Sequence, residues 1–509
     1  GQIIASSVTS FFTSTVSNMC SMFYRCNSRR SASPLFRFLF AAALTLTSLS
    51  VFSADMNTWF REFKQNASDQ TLYKLLWSLP KGGDLHHHLS GAGFSEWWYD
   101  IATRPEQNGG YRYYTKTRLL QCRGYGTNEY GPNPQNLLFR TIQASTYAAL
   151  NDCEKQEYEL LSELDENTKL AWFNSIRLDK AHEGRNEFFE RHWQRLNELN
   201  NNPHIGAHIL LKNMQAFAAE GLQYLETQVN VDRSITPEGE LMSPAASLQV
   251  YTDMLASQAA RQTGVTVRFQ YALLRFLPHA EQHLRWMYDF VDQHRDLYVG
   301  INMVGREDND KGYPLRFLPV LRQLRRQYPA INLAIHAGEV DEPNQHVKDT
   351  LLLGAQRIGH GLNTITDPDT LLLMRHGPYL IEINLISNRL LDYTEDYASH
   401  PFPEYLRTDI PVALTTDDRG MWDSTLTDEY YVAVKEFNLS WQELTGLARQ
   451  SLKHSFLAED DKQAALTTYE QRLRQFAEAL ARDGVSSLPQ AAPKRRFICD
   501  YQPTLCHQG

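Results

Sequence analysis

Eight short β-branched or apolar runs separated by helical patterns constrain this chain more than any other feature. They lie at 83–87 (GDLHH), 222–229 (LQYLETQV), 265–273 (VTVRFQYAL), 297–303 (LYVGINM), 331–335 (INLAI), 356–359 (QRIG), 379–384 (YLIEIN) and 411–415 (PVALT). Amphipathic helical stretches fall between them, at 206–219, 245–261, 279–294, 313–327 and 367–375. Strands alternating with helices make a parallel sheet, and eight is the number that closes a (β/α)8 TIM-type barrel. The competing architecture, a doubly wound open sheet, lacks its G-x-G-x-x-G after the first strand. A net charge of −9 without a basic run excludes a nucleic-acid backbone as the main partner. Six cysteines in 509 residues, none in a C-x-x-C pair, exclude a zinc ribbon and a thioredoxin-like site.

Two segments exceed a minimal barrel. Residues 92–205 form a long insertion after the first strand, with helical patterns at 140–165 and 185–199, expected as a lobe or lid over the barrel mouth. Extra helices are expected over 427–483, followed by a Pro-containing, loosely held tail at 484–509. The barrel body is thus 81–483, preceded by an arm at 55–80. Residues 1–54 have different chemistry: Arg25, Arg29, Arg30 and Arg37, then the apolar Phe38–Phe52, then Ser53 and Ala54. A basic, an apolar and a small-residue stretch in that order read as a signal peptide cleaved near Ala54, hence a secreted or periplasmic protein with no membrane attachment after cleavage. Four cysteines would remain, and pairing Cys122 with Cys153 and Cys499 with Cys506 closes the shortest loops; free buried thiols are the alternative.

Active sites of such barrels sit at the C-terminal ends of the strands. Those ends read His86-His87-His88, Val304-Gly305-Arg306-Glu307, His336-Ala337-Gly338-Glu339, Gly359-His360-Gly361 and Thr416-Asp417-Asp418. Strand geometry sends His86 and His88 to one side and His87 to the other. With His336 and Asp417 they supply three imidazoles and one carboxylate, a set suited to one zinc ion with a position left for water. Glu339 is then the candidate proton shuttle, Asp418 the group that holds the attacking water, and His360 the group that orients it or stabilises its charge. His182, His204, His376 and His400 are read as ordinary polar residues.

The motifs PKGGDLHHHLSGA (80–92), VGINMVGRED (299–308), HAGE (336–339), RIGHG (357–361), ISNRLL (386–391) and TTDDRG (415–420) resemble, in order, those of the adenosine deaminase family of metal-dependent amidohydrolases. The signal segment, the insertion and the stretch STLTDEYYVAV (424–434) are most similar to its secreted, growth-factor-related branch, and the Cys122–Cys153 spacing to that branch's disulfide-bearing extra domain. The resemblance implies hydrolytic deamination of a purine nucleoside at C6. His86, His88, His336 and Asp417 would bind zinc, Glu339 would protonate N1, and His360 and Asp418 would position the attacking oxygen. The Gly305 N–H would meet N3, Glu307 would support that loop, and AHEGRNEFF (181–189) would line the substrate. A homodimer is compatible with the sequence, although the arm before Pro80 is short for a dedicated dimerisation domain.

Three positions depart from the family pattern. Ser90 replaces a frequent Asp at the ribose end, Asn384-Leu385 replace a Cys-Pro pair, and Arg419 replaces a Pro, which would reshape the mouth or add a cationic contact. None touches the metal set or Glu339, so they bear on the choice among 6-aminopurines, with adenine, a nucleotide or a modified nucleoside as the alternatives to adenosine.

Overall fold

A computed structural model describes residues 55–122 and 137–506; the signal segment lies outside them. The chain divides into units 1–59 and 60–509. Residues 55–59 are helical, and all that follows concerns the second unit.

The strands, in chain order, are β1 (Gly82–Asp84), β2 (Tyr113–Lys116), β3 (Thr141–Gln143), β4 (Tyr158–Leu160), β5 (Leu222–Gln228), β6 (Thr266–Leu274), β7 (Tyr298–Val304), β8 (Asn332–Ala337), β9 (Arg357–His360), β10 (Leu380–Ile383) and β11 (Val412–Leu414). Eight of them form one parallel sheet in the order β1-β5-β6-β7-β8-β9-β10-β11. The cylinder closes just beyond β11 and β1: Asp417 N–H donates to His86 C=O (2.9 Å) and His88 N–H to Asp417 C=O (3.2 Å). This is the expected (β/α)8 barrel, with each of the eight anticipated strands present. β1 is shorter than expected because the chain leaves the ladder at Leu85, and His87 and His88 are held by isolated bridges instead. Strands β5, β10 and β11 are buried along their whole length, as parallel strands covered on both faces must be. The covering helices bury one stripe; Ala280–Gln293 does so with Leu284, Met287, Tyr288 and Val291 at i, i+3, i+4 and i+7.

The insertion differs from its sequence reading. The expected helix over 140–165 is replaced by β3, two single helical turns and β4, and β2 pairs with both strands in an antiparallel sheet. Three-residue strands are too short to show a period of two, so the polar pattern mimicked a helix. A disulfide joins Cys122 to Cys153, and a second joins Cys499 to Cys506. The C-terminal helices are Leu426–Phe437, Trp441–Lys453 and Glu459–Asp483.

The tail is not loosely held. Ile498 is fully buried in the helix Arg496–Tyr501. Arg495 lies 3.6 Å over the Phe94 ring and donates to Glu96 (2.6 Å) and Asp423 (2.5 Å). Opposite charges on the insertion and on the segment after Asp418 thus capture a tail that composition alone describes as polar. Among the described residues no helix is long and apolar enough to cross a membrane.

Candidate active site

His86 and His88 leave the end of β1, His336 belongs to β8 and Asp417 follows β11. Their ligand atoms lie within 4.8 Å of one another. The Nε2 atoms of His88 and His336 are 3.1 Å apart, and Asp417 Oδ1 is 3.1 Å from Nε2 of both His86 and His88. The outer faces of two rings are committed. His86 Nδ1–H donates to Glu382 (3.0 Å), whose other oxygen accepts from Arg357 (2.7 Å). His336 Nδ1–H donates to Asn302 Oδ1 (2.9 Å), because the Asn302 amide N–H is engaged by Gln270 (3.0 Å). Both rings therefore turn an Nε2 lone pair inward, toward a carboxylate and a third imidazole. Lone pairs facing each other at this range repel unless a cation lies between them, so the donor set fits a divalent metal. His87 points away and meets Thr227 (2.7 Å) and Asn213 (3.3 Å).

Three further groups converge on this centre. Burial, reinforced by the charges of Asp417 and Glu307, raises Glu339 well above the usual carboxylate range, so its neutral acid form is favoured. Burial lowers His360 to about 3, so its ring is neutral. Its Nε2 has no partner and lies 3.6 Å from Glu339 and 3.7 Å from Asp417, beyond hydrogen-bond range. Asp418 Oδ1 is also buried without a partner, and burial together with the charge of Asp417 raises Asp418 as well, so the positive charge of a bound cation is needed for it to stand ionised. His360 (φ 69°) and Asp417 (φ 56°) both occupy the left-handed region that costs a non-glycine residue energy. Gly359 cannot be larger, since a Cβ there would approach His86 to 2.8 Å.

A buried network that the sequence did not reveal holds the loops after β7 and β8. Glu307 accepts from Glu339 N–H (2.8 Å), Gly338 N–H (3.1 Å) and His346 Nδ1 (2.8 Å). Arg275 donates to the carbonyls of His336 (2.7 Å) and Gly305 (2.9 Å). Burial alone would raise Glu307, but His346 and Arg275 outweigh it and bring it down to about 2. Glu307 thus supports the backbone of these loops from behind and is not among the residues that line the cavity.

The cavity opens beside this donor set and is lined by His88, Ser90, Gly305, Glu339 and Asp418, with Phe188, Phe189 and Trp193 from the insertion. Of 181–189, the two phenylalanines reach it. They sit on a π-helical turn, Phe188–His192, a local widening that recurs at functional sites. Arg419 is corrected: it is fully buried away from the mouth, bound to Glu220 (3.2 Å) and Asn213 (3.1 Å), and stacked 3.9 Å over Phe217. Arg306 does line the cavity, but is paired with Asp308 (2.5 Å) and Glu190 (3.3 Å).

A (β/α)8 barrel carrying three imidazoles and a carboxylate at its C-terminal strand ends is the architecture of the metal-dependent amidohydrolases. The sequence model for the family "Adenosine deaminase" matches residues 163–471, and the chain belongs to the adenosine deaminase family, hydrolases of C–N bonds. It is 28% identical over 248 residues to an adenosine deaminase-like protein of Drosophila melanogaster, covering 48% of this chain and 70% of that one. It is 28% identical over 273 residues to an adenosine deaminase of Aedes albopictus, covering 51% of this chain and 50% of that one. The match thus spans about half the length of the mosquito relative. Among solved structures, a zinc-bound amidohydrolase from Burkholderia ambifaria shares the fold, with a TM-score of 0.56 at 17% identity over 82% of this chain and 96% of that one.

Proposed function

We propose that this chain is an exported, zinc-dependent adenosine deaminase that hydrolyses adenosine and 2′-deoxyadenosine to the inosine nucleosides and ammonia. One observation carries the reading. A neutral carboxylic acid (Glu339), an unpartnered imidazole nitrogen (His360) and an unpartnered carboxylate oxygen (Asp418) converge beside a four-ligand metal set. Membership of the family supports it.

A zinc ion held by His86, His88, His336 and Asp417 would supply Lewis acidity, lowering the pKa of a water to about 7. Glu339 donates its proton to purine N1, which draws electron density from C6 and opens it to the water oxygen. Asp418 accepts a hydrogen bond from that water and receives its proton, while His360 Nε2 faces the oxygen as charge develops. Asp418 then passes the proton it received to the amino nitrogen, the C6–N6 bond breaks and ammonia leaves, while the C6 hydroxyl gives its remaining proton to Glu339, which forms the carbonyl and restores both carboxyl groups. The Gly305 N–H meets N3, the aromatic wall from the insertion covers the purine faces, and Ser90 stands at the ribose end.

The test is conversion of adenosine by the chain from Asp55 onward, followed through the ultraviolet difference from inosine, beside Glu339→Gln. Wild type should convert, lose activity on chelation and recover it with zinc. Glu339→Gln should keep its metal and lose about 10²–10⁴-fold in kcat. Protein holding one zinc ion per chain that leaves adenosine intact would overturn the assignment, and turnover of adenine or AMP instead would point to Ser90 as the cause. Export is checked by N-terminal sequencing of secreted protein, expected to begin near Asp55.

A further inference from the structure

We infer that His400 and Asn388 are positioning residues that fix the tautomer of His360, leaving its Nε2 as the protonated nitrogen at the reaction centre. What that proton accomplishes rests on the deaminase reading; where it resides does not.

The argument starts from a group with no choice. The backbone N–H of Phe402 can only donate, and it donates to His400 Nδ1 (3.1 Å). Burial holds the His400 ring neutral, down at about 3, so a ring accepting at Nδ1 carries its single proton on Nε2. That N–H donates to Asn388 Oδ1 (3.0 Å). With its oxygen turned to His400, Asn388 directs its amide N–H toward His360 Nδ1 (3.1 Å). The Asn384 amide reaches the same nitrogen from 3.4 Å, its own oxygen being engaged by Thr415 (2.5 Å). His360 Nδ1 therefore holds a lone pair, and the proton of the neutral ring must sit on Nε2.

Each donor in this chain points the same way, from Phe402 to His360. Reversal would set the Phe402 N–H against a ring N–H, leaving two buried donors face to face, an arrangement costlier than any single lost bond. The residues involved are all buried, so water offers no substitute partner. The helix bearing Asn388, Leu385–Leu390, is fixed at its N-terminus by Glu429, which accepts from the Leu385 and Ile386 amides (3.1 and 3.2 Å). A His360 that presents N–H can donate to the attacking oxygen but cannot take its proton. Proton removal is thereby left to Asp418, and the two neighbours have separate tasks.

Asn388→Asp decides the matter, because the substitution keeps shape and replaces the donor facing His360 with an acceptor. Ring correlations in full-length protein labelled with nitrogen-15 histidine should show His360 protonated at Nε2 in wild type and at Nδ1 in Asn388→Asp. With metal content unchanged and KM within about threefold, kcat should fall by roughly 10²–10⁴, the range for a misplaced acid–base proton. His400→Gln, which restores an N–H donor, should retain far more kcat than His400→Leu, and this pair stands if Asn388→Asp does not fold. A wild-type His360 protonated at Nδ1 would overturn the inference, as would an unchanged tautomer or kcat in Asn388→Asp, or equal losses in the two His400 variants. Failure of the deaminase reading looks different: the tautomers would behave as stated in a protein that turns over no adenosine.

Discussion

Glu382 is the most informative single residue to change, because one of its oxygens serves His86 and the other serves Arg357, at 3.0 and 2.7 Å and with no solvent contact. Burial would raise its pKa, but the Arg357 guanidinium and the His86 N–H hold it below the usual range. Glu382→Gln preserves size and leaves only one acceptor. If the amide oxygen faces Arg357, its NH₂ group faces His86, which must accept at Nδ1 and move its proton to Nε2. The lone pair that would meet the metal is then gone. If the amide turns over, Arg357 loses a partner but keeps its two contacts to Glu226 at 2.9 and 3.2 Å and its seat 3.8 Å over the Phe456 ring, so the fold should survive at a cost of about 1–3 kcal/mol. Groups that orient a metal-binding histidine are typically worth 10–100-fold in metal affinity, which corresponds to about 1.4–2.7 kcal/mol. A zinc titration against a competing chelator, with urea unfolding of the metal-free protein alongside, reads both quantities. Zinc affinity within about twofold of wild type together with unchanged stability of the metal-free protein would refute the reasoning, since one of the two partners must lose its hydrogen bond.

Two further expectations follow from the same structure. The disulfides close loops of sequence separation 31 and 7, so replacing Cys122 and Cys153 by Ser should cost about 4 kcal/mol, and replacing Cys499 and Cys506 about 2 kcal/mol, on the chain-entropy estimate; urea unfolding showing no loss in either would contradict this. Glu307 is held at about 2, below its unfolded value of 4.5, so its contribution, on the order of 3 kcal/mol, is fully present above pH 4.5 and is lost as pH falls toward 2. Glu307→Gln should flatten that part of the stability–pH curve, and identical acid slopes in variant and wild type would show that the shift is absent.

The barrel and the clustering of His86, His88, His336 and Asp417 were legible because both are written locally. A β-branched or apolar run of four to nine residues announces a buried strand, and the next residues along the chain are the ones its C-terminal end presents; His86, His88, His336, Glu339, His360 and Asp417 needed nothing more. What escaped depends on contacts between distant positions. Arg275 reaches His336 across 61 residues and Arg357 reaches Glu226 across 131, and no spacing rule connects either pair. His400 looked like any polar loop residue because its meaning lies in the direction of one hydrogen bond from Phe402. Arg419 was misplaced for the opposite reason. Adjacent to Asp418, it seemed bound to share the cavity, but the left-handed turn at Asp417 starts a short helix, Arg419–Trp422, that swings its side chain back to Glu220.

The position of the seam gives these facts a common cause. The cylinder closes through hydrogen bonds made by His86, His88 and Asp417 themselves, so the ligand set cannot assemble until the last strand docks on the first. The buried charges nearby then follow from necessity: Arg357 between Glu226 and Glu382, and Arg419 against Glu220, tie β9 and the β11 loop to β5, β10 and the helix Pro203–Ala219. A buried pair is costly to break and gains little over an apolar contact, which makes it a poor source of stability but a strict judge of register. A one-residue slip between β11 and β1 would strand those charges and scatter the ligands together, and the fold that satisfies the pairs is the one that builds the site.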